Sequence, residues 1–467
     1  MTGSLLSRRF PQGLRLSTEP LRDGGRGLVS VALAVAAGSD DDPAGLHGTA
    51  HLVEHLMFPR AAEAAGTTGT AGTANTVGTV GTGESHAARI AGVGGVCNAE
   101  THRDHTVFHT TVPAEMLPEV LAWEARRLLT FDPPATVLRT ETGVIAEEIR
   151  GAPATGRLWD TALAALYPGS RDSYGTPAEL AGATAADARA FFRRHYRADR
   201  TALSVVGDVD PAEVSALVGE LFAELPQAEP ECAGSTAART SATTAPLLAP
   251  ASATTASLPT PASATTAPLP APVRPAAGTV VRTPPVPATV AAVAVGHALP
   301  DPRADRPGYL AQVLLAEVLG RGRAARALRA DPRLTAARVS CGLYGQWLGS
   351  AAPDLTLVLL RRAAGASPDD AVQAWLDALA EVAEHGVPRE EHRRALNALL
   401  VACHRGADSL TARAVGHART ALLFPGSGGT DALPGELRAL APQDLVRAAR
   451  ALLAGPRSQT ELGGTPR

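Results

Sequence analysis

Apolar residues run almost unbroken from Leu28 to Ala37 (LVSVALAVAA). That length suits a buried strand and falls short of a membrane-spanning helix. Farther along the period changes. In GTAHLVEHLMF (48–58), Leu52, His55 and Leu56 recur at helical spacing. GGVCNAETHRDHTVFHTTV (94–112) opens on glycines and continues with β-branched and aromatic residues, which predicts a strand pair. MLPEVLAWEARRLL (116–129) and ATVLRTETGVIAEEIRG (135–151) predict helices, and 187–222 reads helix, strand, helix with a turn at Gly207-Asp208. Strands and helices alternate again over 278–460.

Two biased stretches interrupt the alternation. Residues 226–277 are rich in Ala, Pro, Ser and Thr and contain an 11-residue repeat: TSATTAPLLAP, ASATTASLPTP, ASATTAPLPAP. The repeat has no charge and no aromatic ring, so it offers too little apolar surface to offset the entropy of ordering it. This predicts a disordered linker over 226–277, between a first domain (1–225) and a second (278–467). The other stretch, 62–85, repeats Gly-Thr about every three residues and predicts a flexible loop, either a lid or a tolerated insertion.

Composition narrows the function classes. At 467 residues the chain exceeds a single core, and 45% apolar residues suffice for packed domains. A net charge of −3 gives no electrostatic footprint for nucleic acid or an anionic membrane. All 43 basic residues are arginine. Cys97, Cys232, Cys341 and Cys403 are scattered and match no C-x-x-C pattern, and the N-terminus carries no secretory apolar core. A cytoplasmic protein with reduced thiols, outside the membrane, is expected.

The chemistry concentrates in His51-x-x-Glu54-His55. On a helix, residues four apart share a face, so both imidazoles can meet one ion while Glu54 reaches a water bound to it. An ordinary alternative is two half-buried histidines beside a surface glutamate. A catalytic zinc needs a third protein ligand. In TETGVIAEEIRG, Glu141 and Glu148 lie seven apart on one face, whereas Glu147 points about 100° away.

These residues resemble the pitrilysin or insulinase family of metallopeptidases, in its short-chain branch that includes mitochondrial processing peptidase. GLHGTAHLVEHLMF is similar to the family's zinc helix, GGVCNAETHRDHTVFHTTVP to its edge strand, and ETGVIAEEI to the segment that gives the third ligand. YPGSRDSYGTPAEL and FFRRHYRADRTALSVVGDVDP continue the resemblance, and the second half carries it less strongly. It implies an α+β fold: two related α/β halves, each a mostly antiparallel sheet flanked by helices, facing each other as a clamshell. It implies one Zn2+ held by His51, His55 and Glu148, with Glu54 as general base and Glu141 as the acid behind the ligands. It also implies a peptide laid along Asn98, Ala99 and Thr101.

The implied activity is a zinc endopeptidase, acting on a leader peptide or other processing substrate as the catalytic subunit of a two-subunit protease. The competing reading is a non-catalytic, core-like binding or scaffold subunit. The family's Arg–Tyr pair is missing: seven residues beyond Arg329 stands Ala336, and Tyr344 is the nearest tyrosine. The expected partner is therefore an HxxEH-less relative that carries the pair, with a homodimer as fallback. In the second half, REEHRR (389–394) has Pro388 where a first histidine would be needed, so His392 is expected at the surface. Cys97, His102, His105 and His109 read as residues of the pleated strand pair.

Overall fold

The computed structural model describes residues 4–21, 26–58, 86–152, 154–227 and 275–463. The Gly-Thr stretch at 62–85 and nearly all of the 226–277 segment lie outside the described residues.

Two sheets organise the chain. The first holds β1 (Leu6–Arg9), β2 (Arg15–Pro20), β3 (Leu28–Val35), β4 (Val96–Thr101), β5 (Thr106–Pro113) and β6 (Thr201–Gly207), in the order β1-β2-β6-β3-β5-β4. The second holds β7 (Val280–Val286), β8 (Ala292–Ala298), β9 (Leu334–Cys341), β10 (Leu355–Arg362) and β11 (Arg457–Leu462), in the order β7-β11-β8-β10-β9. Each sheet has one parallel pair, β2 with β6 and β7 with β11, and is otherwise antiparallel. Without β1 the two orders are the same. The α+β duplication is thus written in topology, although the halves share no visible sequence repeat.

The apolar run predicted as a buried strand is β3, which pairs β6 on one side and β5 on the other. All its residues except Leu28 are buried, because both faces of the sheet are covered. One face carries the first half's own core, including Leu52, Val53 and Leu56 of the helix Thr49–Met57. The other face is covered by a helix from the second half, Leu410–Leu423, whose Ala414 and Ala418 pack against Ala32, Ala34, Val107 and Val206. The second sheet is covered in the same manner. The first half's helix Ala154–Leu166 sends Trp159, Ala162, Leu163 and Leu166 onto Leu355, and Leu158 onto Ala292 and Ala294. The halves have exchanged helices.

Polar contacts reinforce the exchange. Glu19 of β2, 1% exposed, accepts hydrogen bonds from the Arg413 guanidinium and meets His417 Nε2 at 2.9 Å. A buried carboxylate would be costly alone, and these two partners compensate it. His392, expected at the surface, is instead only 9% exposed. The helix Arg389–Ala407 turns Glu391, His392, Ala395 and Leu399 inward at helical spacing, so His392 lies on the buried face. Among the described residues, no helix is long and apolar enough to cross a membrane.

Candidate active site

The helix Thr49–Met57 has nine residues and no side-chain cap from Gly48, its own N-cap. Asp42 supplies the missing acceptor from outside. Its Oδ2 takes the Gly48 N–H at 2.7 Å and its Oδ1 the Ala50 N–H at 2.8 Å. A carboxylate there satisfies orphan donors and complements the helix dipole. Gly48 sits at φ 106°, and Gly175 at φ 89° lies against it: a Cβ on Gly175 would stand 2.4 Å from the Gly48 Cα. This glycine contact lets the 172–176 loop approach the start of the helix, where Asp172 Oδ1 accepts from the backbone N–H groups of Tyr174 and Gly175.

The close approach fixes the first histidine. His51 Nδ1 lies 3.2 Å from the Tyr174 carbonyl oxygen, so it carries the proton and leaves Nε2 with a lone pair. His55 Nδ1 meets Glu141 Oε2 at 3.0 Å. Both Nε2 atoms then face the same oxygen, Glu148 Oε2, at 3.6 Å each. The three ligand atoms lie within 4.8 Å of one another, and this is the one such group among the described residues. Tetrahedral bonds of ~2.0–2.1 Å would place ligands roughly 3.4 Å apart. The donor set, its spacing and its oriented rings fit a zinc ion.

Charge is unevenly held at the pair. Burial, helped by neighbouring His55, holds His51 down at about 4. Burial acts on His55 too, but the bonds to Glu141 and Glu148 outweigh it and push that ring up to about 9. Glu54 is raised by burial despite His55 and the Thr101 hydroxyl, which donates to its Oε2. A carboxylate poised nearer neutrality can take up and release a proton.

These residues line a cavity of about 390 Å³. Asn98, Ala99 and Thr101 border it along β4, one of the two outer strands of the first sheet. Cys97 and Ala99 turn toward the core, and Thr101 turns toward Glu54. Val96, on the opposite face, is 67% exposed. His102 lies just past β4 and also borders the cavity, whereas His109 lies inside β5. Glu147 points away and pairs with Arg150.

From the second half, Leu343, Tyr344 and Gln346 complete the wall. Tyr344 is 54% exposed, and its φ of 51° is a left-handed conformation uncommon for a side chain of its size. Arg329 does not line the cavity; its guanidinium donates to the Gly320 carbonyl at 3.3 Å. Sequence reasoning passed over Asp42 and Tyr174. One acts by capping across a loop and the other by its carbonyl, which every residue has. The glycine of the SYGTP segment, Gly175, was the readable signal for the close approach.

Known proteins share both the sequence and the architecture. Residues 23–129 match the family model described as Insulinase (Peptidase family M16), and residues 182–399 match the one described as Peptidase M16 inactive domain. A Mycobacterium tuberculosis protein named an uncharacterized zinc protease is 31% identical over 218 residues, 46% of this chain and 45% of its own length. The mitochondrial-processing peptidase subunit beta of Blastocladiella emersonii is 26% identical over 226 residues, 47% of this chain and 44% of its own length. The matched part of the chain thus spans about half the length of these curated relatives. The crystal structure of a protease from Helicobacter pylori superposes with TM-score 0.75 at 17% identity, over 99% of this chain and 100% of that one. A peptidase M16 inactive domain from Pseudomonas fluorescens gives 0.72 at 16% identity, over 99% of both.

Proposed function

This chain belongs to the insulinase (peptidase M16) family, and from that premise we propose that it is a zinc-dependent endopeptidase. The observation that carries the reading is the convergence of His51 Nε2, His55 Nε2 and a Glu148 oxygen, with Glu54 beside them and an open strand edge along the same cavity. His51, His55 and Glu148 would hold one Zn2+. A zinc ion so held lowers the pKa of a bound water toward ~7 and polarises a carbonyl.

The remaining work falls to the chain's own residues. Glu54 Oε2, oriented by the Thr101 hydroxyl, takes the proton of the attacking water and delivers it to the departing amine. Glu141 keeps the proton on His55 Nδ1, so that Nε2 stays available as a donor atom. The Tyr174 carbonyl does the same for His51. A peptide adds to the unpaired edge of β4 by main-chain hydrogen bonds, past Asn98, Ala99 and Thr101, a mode that accepts varied sequences. Processing of a leader or similar peptide suits such an edge.

We further propose that the chain is the zinc-bearing subunit of a two-subunit protease. The position of Arg329 outside the cavity, with Ala336 at the family's tyrosine position, supports a relative that brings the missing Arg–Tyr pair; a homodimer is the fallback. Metal analysis joined to cleavage of an unstructured fluorogenic peptide, with and without a chelator, tests the reading. Stoichiometric zinc and chelator-sensitive cleavage are expected, strengthened by the partner. Bound zinc with no cleavage under any pairing indicates the scaffold reading instead.

A further inference from the structure

The helix Leu410–Leu423 belongs to the second half by sequence but lies across the first sheet, and Arg419 stands near its C-terminal end. The Arg419 guanidinium, outside the cavity lining, reaches the end of β4 at Glu100 and His102, which border the cavity themselves. Its Nη2 is 2.7 Å from Glu100 Oε2 and 2.7 Å from His102 Nε2, and its Nε donates to His105 Nε2 at 3.0 Å. The two imidazoles stack at 4.4 Å. His105 can accept because its Nδ1–H is given to Asp104 Oδ1 at 2.8 Å. Asp104 Oδ2 in turn accepts the backbone N–H groups of Ala351 and Ala352 in the second half, at 2.7 and 3.0 Å.

The turn after β4 does not need this cluster to form. Its backbone is already held by Ser39 N–H on the His102 carbonyl and Asp40 N–H on the Arg103 carbonyl, and Arg103 pairs with Asp40. What the cluster adds is aim. Successive strand residues point to opposite faces, so Glu100 turns back toward Arg419 while Thr101 turns forward to Glu54. A six-residue edge strand paired on one side only is less constrained than the inner strands of the sheet.

We infer that Arg419 is a positioning residue: it clamps the end of β4 through Glu100 and His102 and so sets the edge on which a peptide aligns and the hydroxyl that orients Glu54. The role in peptide alignment rests on the endopeptidase reading; the clamp itself does not.

The test uses the full chain and two variants, Arg419→Gln and Glu100→Gln, each of which removes one side of the same contact. Amide hydrogen exchange should speed up by about tenfold in β4 in both, with β3 and β6 unchanged. With an unstructured fluorogenic peptide, kcat/KM of Arg419→Gln, the variant outside the cavity lining, should fall about tenfold, mainly through KM, at unchanged zinc content. Arg419→Lys, which restores the charge without the fork, should recover part of that loss. Unchanged exchange in β4 in both variants overturns the inference, as does loosening spread evenly over the whole first sheet. A wild-type chain that binds no zinc and cleaves nothing sinks the endopeptidase reading, and the exchange measurement then decides the clamp alone.

Discussion

Glu141 and Glu148 occupy one face of one helix, yet their surroundings give them different work. Glu141 is 2% exposed and spends an oxygen on His55 Nδ1, while the Glu148 side chain is 45% exposed and turns its Oε2 to both Nε2 atoms. Replacing Glu148 should abolish zinc binding, whereas Glu141→Gln should weaken it by about 10–100-fold, as losses behind a ligand do. Competition against a chromophoric chelator separates the two. Glu54→Gln should keep its zinc and lose about 10²–10⁴ in kcat, since a proton carrier is removed and no ligand. Most turnover surviving in that variant would contradict the role given to Glu54. At this scale the sequence was most readable where spacing carries the information: His51, His55 and the seven-residue step between the glutamates. It was silent where a carbonyl or a distant cap does the work, as at Tyr174 and Asp42, because those depend on the path of a loop.

At the scale of elements, the short helix that carries the histidines depends on its neighbours. With nine residues it would be marginal alone, and Asp42 and the Gly48–Gly175 contact set its start. Asp42→Ala removes a cap worth roughly 0.5–2 kcal/mol. The expected result is a lower denaturation midpoint together with weaker zinc binding, because the first turn holds His51. A change in neither would show that the cap is redundant. Amphipathic helices such as Leu117–Leu129 and Ala135–Gly151, and the apolar run of β3, were legible because burial imposes a period. β1, β2 and β7 were not, since Leu6–Arg9 and Val280–Val286 are largely exposed and β2 joins by parallel pairing to a strand nearly two hundred residues away.

For the molecule as a whole, the exchanged helices make each half incomplete. Helix Ala154–Leu166 buries Trp159, Leu163 and Leu166 against the second sheet, at about 1.5–3 kcal/mol for each fully buried side chain. A chain cut between residues 227 and 275 should therefore stay together through purification, and either half made alone should aggregate. Separation of the cut halves in native buffer would refute this. Acid should loosen the same assembly. His105 and His297 are fully buried and held down at about 4, by burial first in each case, against 6.5 in the unfolded chain. The unfolded state then binds more protons in that window, so the contribution of these two histidines is complete above pH 6.5 and falls as pH drops toward 4. The loss is about 1.4 kcal/mol per pH unit for each histidine. Denaturant midpoints measured across that range check the sign. The exchange also bears on how the protein is made. Synthesis proceeds from the N-terminus, so the outer face of the first sheet, with Ala32, Ala34, Val107 and Val206, emerges from the ribosome long before Ala414 and Ala418 arrive to cover it. The nascent chain must carry that bare apolar face through most of its translation, which makes it a natural client for a chaperone until its last helices are delivered.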